Sequence, residues 1–489
     1  MPEESQTAAK PDEKKEKTIP LDVDKEPIVV EQSISIGSKK LDYTVTTGML
    51  PLKDEFGEVH AGVFFVAYTL KREGDPRERP LMFSFNGGPG SSSVWLHLGA
   101  VGPKRVQLEE DGDLPPPPYT LIDNPQCWLE ETDLVFIDPV GTGFSRASKK
   151  EYEQKYWGVK GDIESIGEFI RLFLTRYERW ASPLFLVGES YGTTRAAGLS
   201  GHLLEHGISF NGIVLVSSIL SFLTTRGFKA NDLPPVLFLP TYTATAWYHK
   251  RLPADLQADL HLALGQSEEF AMGEYAAALA KGSSLPADER SRIVNEVSRL
   301  TGLSPEFVDY SDLRVNIHEF CKELCRDEKR TVGRLDSRFK GIDQRATGGW
   351  PDQDPTMDVI RAPYTSVFND YVRRVLGYKT DVPYNILGSV YEKWDWGSAG
   401  TGMPDTSEAL RSAMSRNPHM KLFVASGYFD LATPYFATKY TLDHLGLDES
   451  LQKNITTSEY EAGHMMYIHV ASLDKLKREV SAFIAGAVS

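Results

Sequence analysis

The residue in this chain best placed to do chemistry is a serine between two glycines. In VGESYGTTRAAG (187–198), Ser190 follows the apolar run LFLVG and opens a helical stretch, with Glu189 directly before it. Strand, sharp turn and helix form the setting in which Gly-x-Ser-x-Gly presents a nucleophile. Gly188 and Gly192 leave room in a tight turn. The hydroxyl is pushed out at a helix N-terminus, where backbone N–H groups favour developing negative charge. A serine that merely caps a helix fits the five-residue pattern equally well; the strand before it and the helix after it favour the nucleophile.

A serine hydroxyl needs a base, and the base needs an orienting acid. On such an elbow the partners follow in the order Ser, Asp or Glu, His. His464 in YEAGHMMY follows a polar strand, and Gly463 frees its loop, so it is the preferred base with His469 in reserve. Asp430 lies just past KLFVASGYF on a strand-end loop, where open α/β sheets carry their sites. The glycine-rich FSFNGGPGSSS (83–93) lacks the Gly-Lys-Ser/Thr ending of a phosphate loop. It suits an oxyanion hole made by the N–H groups of Gly88 and Tyr191.

One rival uses a metal. HLLEH (202–206) matches a zinc-peptidase pattern, with His202 and His206 on one helix face. The pair lies about three turns from the elbow on the same helix, and no third ligand is evident, so no metal is expected. The three cysteines, Cys127, Cys321 and Cys325, are too few for a disulfide framework, and the last two share a helix face without making a metal site.

The elements that must position these residues change character along the chain. IVVEQSISI, YTVTTG and AGVFFVAYTL (within 28–72) read as antiparallel strands at one sheet edge. LMFSF, LVFID, LFLVG and IVLVSS are short apolar runs separated in part by helical patterns, which implies a buried, mostly parallel sheet. From 222 to 400 helical periodicity dominates and a cap is expected; from 401 to 489 strand and helix grammar returns. Residues 1–27 read as a charged, disordered tail and 28–221 as the first part of the core.

The 489 residues carry a formal charge of −15, which argues against nucleic acid. No run is long and apolar enough for a bilayer span, and the N-terminus lacks the apolar core of an export signal. A cytoplasmic protein is expected, or a periplasmic or secreted one if a signal precedes this numbering.

Four blocks together, NGGPGSSS, DPVGTGFS (138–145), GESYG and AGHM, resemble the serine carboxypeptidase family. The resemblance runs from about residue 60 to the end and is weak across the helical stretch. It implies an α/β-hydrolase fold and removal of residues from peptide C-termini through a serine acyl-enzyme, with no metal or cofactor. It implies Ser190 as nucleophile, His464 as base, Asp430 as orienting acid, and Gly88 and Tyr191 as oxyanion hole. Asn86, Gly87 and Glu189 would bind the substrate's free carboxylate.

In the family a second acid shares a proton with that glutamate; its position here is Ala100. Without the partner, Glu189 is expected to ionise in the ordinary range, so that preference for a free C-terminus grows only below about pH 5. Arg195, on the elbow helix, is the candidate replacement anchor, although an arginine there is more often a structural ion pair. The expected partners are a peptide substrate and at most a second copy of the chain. An esterase or acyltransferase on the same triad is the alternative activity, since fold alone does not choose among them. A binding-only relative is disfavoured because all three triad candidates are present.

Overall fold

The computed structural model describes residues 21–397 and 402–488. Its frame is a ten-stranded sheet. The strands are β1 (Ile28–Ile36), β2 (Lys39–Lys53), β3 (Val59–Leu70), β4 (Leu81–Phe85), β5 (Asp133–Ile137), β6 (Leu184–Ser190), β7 (Gly212–Ser218), β8 (Lys421–Gly427) and β9 (Ile455–Tyr460), with the two-residue strand Arg146–Ala147 beside β3. Their spatial order is β1-β2-β3-β5-β4-β6-β7-β8-β9. The first three are antiparallel, and β3 meets β5 antiparallel. From β5 onward every neighbouring pair is parallel.

The apolar runs are buried on both faces because their side chains alternate between two cores. Met82, Phe136, Phe185, Val187, Val214 and Phe423 enter one. Phe83, Val135, Leu186, Leu215 and Val424 enter the other. Helices α1 (Val159–Arg176) and α2 (Tyr191–Glu205) cover the second face through Phe169, Phe173, Leu199 and Leu203. This is the α/β-hydrolase fold that the alternation of strands and helices implies.

A third core belongs to the helices after residue 222. Helices α3 (Leu233–Tyr248), α4 (Leu260–Phe270) and α5 (Ala287–Thr301) bury Leu237, Leu264 and Val297 together. Phe429 and Leu431, the neighbours of Asp430, join that same core. The helical insertion is therefore packed onto the loop that carries Asp430.

Two boundaries differ from the sequence reading. Helix α6 (Pro355–Asp370) does not belong with the other helices of the insertion: Ile360, Tyr364, Val367 and Phe368 pack into the sheet core, as do Val390 and Trp394 further on. Helical periodicity identifies a helix but not the core it faces. The charged tail falls on residues 1–20, outside the described residues. Residues 21–27 are held: Val23 packs on the sheet core and Tyr378 donates to Asp22 over 3.2 Å. Among the described residues no helix is long and apolar enough to cross a membrane.

At the end of the sheet away from Ser190, Asp133 opens β5 and is buried between two arginines. Its carboxylate accepts from Arg79 Nε and Arg179 Nη1, each at 2.8 Å, and from Leu70 N. Removing it strands two buried cations, so Asp133→Ala is expected to cost about 3–5 kcal/mol in a denaturant titration. Turnover per folded molecule should stay near normal. A loss below about 1 kcal/mol, the range of an exposed pair, would show that the cluster does not brace the sheet.

Candidate active site

Strand β6 ends at Ser190 in a left-handed conformation (φ 60°), and α2 begins at the next residue. That reversal brings three stretches of backbone into contact. A β-carbon on Gly188 would lie 2.2 Å from Gly192 O, and one on Gly87 would lie 2.4 Å from Tyr191 N. Only glycine fits either place. The glycine loop after β4 is thus pressed against the first peptide of α2. Gly88 follows with φ +102°, and Ser91 N closes the loop onto Gly87 O at 3.0 Å. The first N–H groups of a helix have no intrahelical acceptor, so Tyr191 N–H is suited to an oxyanion.

Ser190 pairs with Ser218 across β6 and β7, with a register shift at Ser217. Ser217 is left-handed too (φ 51°), and its hydroxyl donates to the carbonyl of His464 over 2.6 Å. This bulge ties the loop after β9 to the strand beside the elbow. His464 and Asp430 are both buried, and His464 Nδ1 lies 2.7 Å from Asp430 Oδ2. The same carboxylate accepts from Ala432 N, Thr433 N and Thr433 Oγ1. Burial pulls the imidazole's pKa down, but the charge of Asp430 and its hydrogen bond outweigh this, and the net shift is upward. Held through Nδ1, the neutral ring has Nε2 as its basic nitrogen.

A strap from the insertion fixes both loops. Arg334 O accepts from Leu431 N, Leu335 O accepts from His464 N, and Ser337 N donates to Phe429 O. Buried Asp336 accepts from Gly463 N at 3.1 Å and pairs with Arg338 at 2.7 Å. No feature of GRLDSR (333–338) marks it as part of a site, because its contribution is mainly backbone.

Glu189 is buried and its Oε2 accepts from the Tyr467 hydroxyl at 2.6 Å. Desolvation pushes its pKa up to about 7; His464, Tyr467 and Asn86 hold it down against that. The expectation of ordinary glutamate ionisation is therefore corrected: burial does what a second acid was thought necessary to do. Asn86 is buried and anchored, its Oδ1 accepting from Leu96 N at 3.0 Å. Tyr467, three residues after His464, could not be found by spacing. Asp138 of DPVGTGFS is a support: it accepts from Ser93 N at 2.8 Å, and burial raises it to about 7.

Arg195 is not an anchor for substrate. It is 1% exposed, its Nε donates to Asp162 at 2.8 Å and its Nη1 to Asn86 O at 2.7 Å. Its guanidinium also lies over the rings of Phe85 and Tyr191. It braces the glycine loop from behind. His469 is engaged with Ser472 Oγ at 2.8 Å. His202 and His206 sit at the far end of α2, about 20 Å of helix from the elbow. Among the described residues no third ligand atom joins them; the one three-ligand group found is Asp54, Glu58 and His60, a different set of residues. Asn454, a glycosylation-type asparagine by sequence, is buried and bonded to Pro418 O and Lys421 Nζ.

Residues 40–477 match the family model described as serine carboxypeptidase. The chain belongs to the serine carboxypeptidase family. Two similar relatives are serine carboxypeptidase-like 5 and 8 of Arabidopsis thaliana. The first is 32% identical over 151 residues and the second 33% over 154, each match covering 29% of this chain and 33% of the relative. The matched stretch thus spans a third of the length of those relatives. Among solved structures, Kex1, a prohormone-processing carboxypeptidase from Saccharomyces cerevisiae, aligns with a TM-score of 0.57 at 17% identity, over 90% of this chain and 91% of that one. At that identity the likeness is one of fold.

The geometry around Arg195 makes a specific forecast. Arg195→Ala leaves Asp162 buried without its partner and should cost about 3–5 kcal/mol of stability. The preference of the folded variant between free-acid and amidated peptides should be unchanged. A selective loss of the free-acid preference would return Arg195 to the substrate.

Proposed function

We propose that this chain is a serine-type carboxypeptidase. Ser190 Oγ attacks the last peptide carbonyl while His464 Nε2 takes its proton. Asp430 holds the ring in the required tautomer and stabilises the imidazolium that forms. The N–H groups of Gly88 and Tyr191 receive the tetrahedral oxyanion, each donor worth roughly 3 kcal/mol at the transition state. His464 then passes the proton to the departing amine, and the acyl-serine forms as the C–N bond breaks. Water, deprotonated by His464, releases the shortened peptide. Glu189, Asn86 and the backbone at Gly87 receive the carboxylate of the residue being removed.

One observation favours an exopeptidase over a general esterase. A buried carboxyl, supported by an amide and a phenol, stands one residue from the nucleophile. An ester substrate without a free acid has no use for it, and taking a carboxyl out of water is costly even when neutral donors support it. The family membership and the His464–Asp430 contact support the acyl-enzyme chemistry.

Ser190→Ala is expected to abolish turnover and to prevent labelling by a serine-directed phosphonate. Asp430→Asn should lower kcat by on the order of 10⁴, and the double variant with His464→Ala should lose little beyond the single histidine change. Additive losses would mean that Asp430 acts elsewhere. Because His464 is shifted upward, the acid limb of kcat/KM for amidated peptides should lie above the ordinary histidine value of about 6.5. A limb well below that would contradict the His464–Asp430 pairing.

A further inference from the structure

We propose that Tyr467 is a specificity-determining residue, its phenol holding Glu189 as the single switchable acid of a subsite for the free carboxylate of the leaving residue. The inference rests on the carboxypeptidase reading and adds the group that governs when the subsite works.

Tyr467 sits in the turn Met466–Ile468 and is buried. A β-carbon on Gly99 would meet Tyr467 Cε2 at 2.5 Å and the Tyr364 hydroxyl at 2.7 Å. The turn carrying Gly99 and Ala100 therefore lies directly on the two tyrosines, which fill the space beside Glu189. The nearest partner of Glu189 Oε2 is the Tyr467 hydroxyl at 2.6 Å.

The chemistry follows from what a phenol can do. Burial and the neighbouring Glu189 keep Tyr467 protonated at any working pH. Unlike a second carboxyl it never shares or releases a proton, so the subsite has one proton equilibrium instead of a coupled pair. With Glu189 protonated, its O–H can donate to a substrate carboxylate. With Glu189 ionised, two like charges meet and the free acid is repelled.

The groups facing Glu189 are His464 and Tyr467 on the loop after β9, Asp430 on the loop after β8, Tyr364 on α6, and the neutral Asn86 amide. His464 must be neutral for any substrate, so its titration cancels in the ratio of kcat/KM for a peptide acid and its matched amide. That ratio reports Glu189.

The sign is fixed by the donor. The Tyr467 hydroxyl stabilises the Glu189 anion, so removing it makes Glu189 hold its proton longer as pH rises. In the wild type the acid-to-amide ratio should fall through a midpoint near pH 7. In Tyr467→Phe the midpoint should move up by about one pH unit, the scale of one hydrogen bond to a charged group. Glu189→Gln, whose amide donates at every pH, should keep the free-acid preference flat across the same range.

The test is the ratio measured across about pH 5–9 for the three proteins, with circular dichroism as the check on folding. An upward midpoint shift in Tyr467→Phe with a flat Glu189→Gln profile supports the assignment. An unmoved midpoint, with acid and amide hydrolysis lost together, makes Tyr467 only structural. If Tyr467→Phe does not fold, a Glu189→Gln profile that still falls with pH overturns the proposal alone. A wild type that trims no peptide C-terminus removes the carboxypeptidase reading itself, which an unmoved midpoint does not.

Discussion

The site depends on a crowded strand end. Ser190 is left-handed at the last residue of β6, and the backbones of Gly87, Gly188 and Gly192 meet around it with no room for a β-carbon on the first two. A serine in that conformation costs on the order of 1–3 kcal/mol and persists only where its surroundings over-determine it. Here β6 is locked between β4 and β7, α2 is buried along most of its length, and Arg195 clamps the glycine loop from behind. The neighbouring strand repeats the device: left-handed Ser217 leaves the ladder and bonds the carbonyl of His464. Two adjacent strand ends thus hold Ser190 and tether the loop of His464.

Charge handling explains the division of labour among the buried acids. Asp162 has the Arg195 guanidinium, and Asp430 has three donors besides its histidine. Glu189 faces the neutral donors of Tyr467 and Asn86, and of the groups that hold it down His464 has the largest effect. A neighbouring cation favours a buried carboxylate and desolvation disfavours it; at Asp162 and at Glu189 alike burial outweighs the partners and the net shift is upward. Glu189 is raised to about 7 with no arginine among its partners, and it directly precedes Ser190.

Ser190, Asp430 and His464 stand out in the sequence because each sits at a strand end with local punctuation, GESYG, the loop after KLFVASGYF, and AGHM, and the structure brings Asp430 and His464 within 2.7 Å. The sheet was legible because apolar runs with β-branched residues have few other uses. What stayed hidden depends on approach in three dimensions. The strap Arg334–Ser337 acts through carbonyls and amides that any sequence carries. Tyr467 partners Glu189 across 278 positions. Arg195 lies on the elbow helix but points to Asp162 and Asn86 O, a choice that helix phase alone does not reveal. Sequence counts neighbouring charges but not the loss of water, and it is the loss of water that moves Glu189. Periodicity gives α6 an apolar face without saying what lies opposite, so the cap expected over 222–400 takes in a helix that packs on the sheet core.

The most direct measurement is a time course of peptide digestion near neutral pH, followed by mass spectrometry, with Ser190→Ala as control. The account predicts a ladder of products shortened one residue at a time from the C-terminus, complete with wild-type protein and absent with the variant. Internal cleavage, hydrolysis confined to esters, or a ladder that survives Ser190→Ala would contradict it.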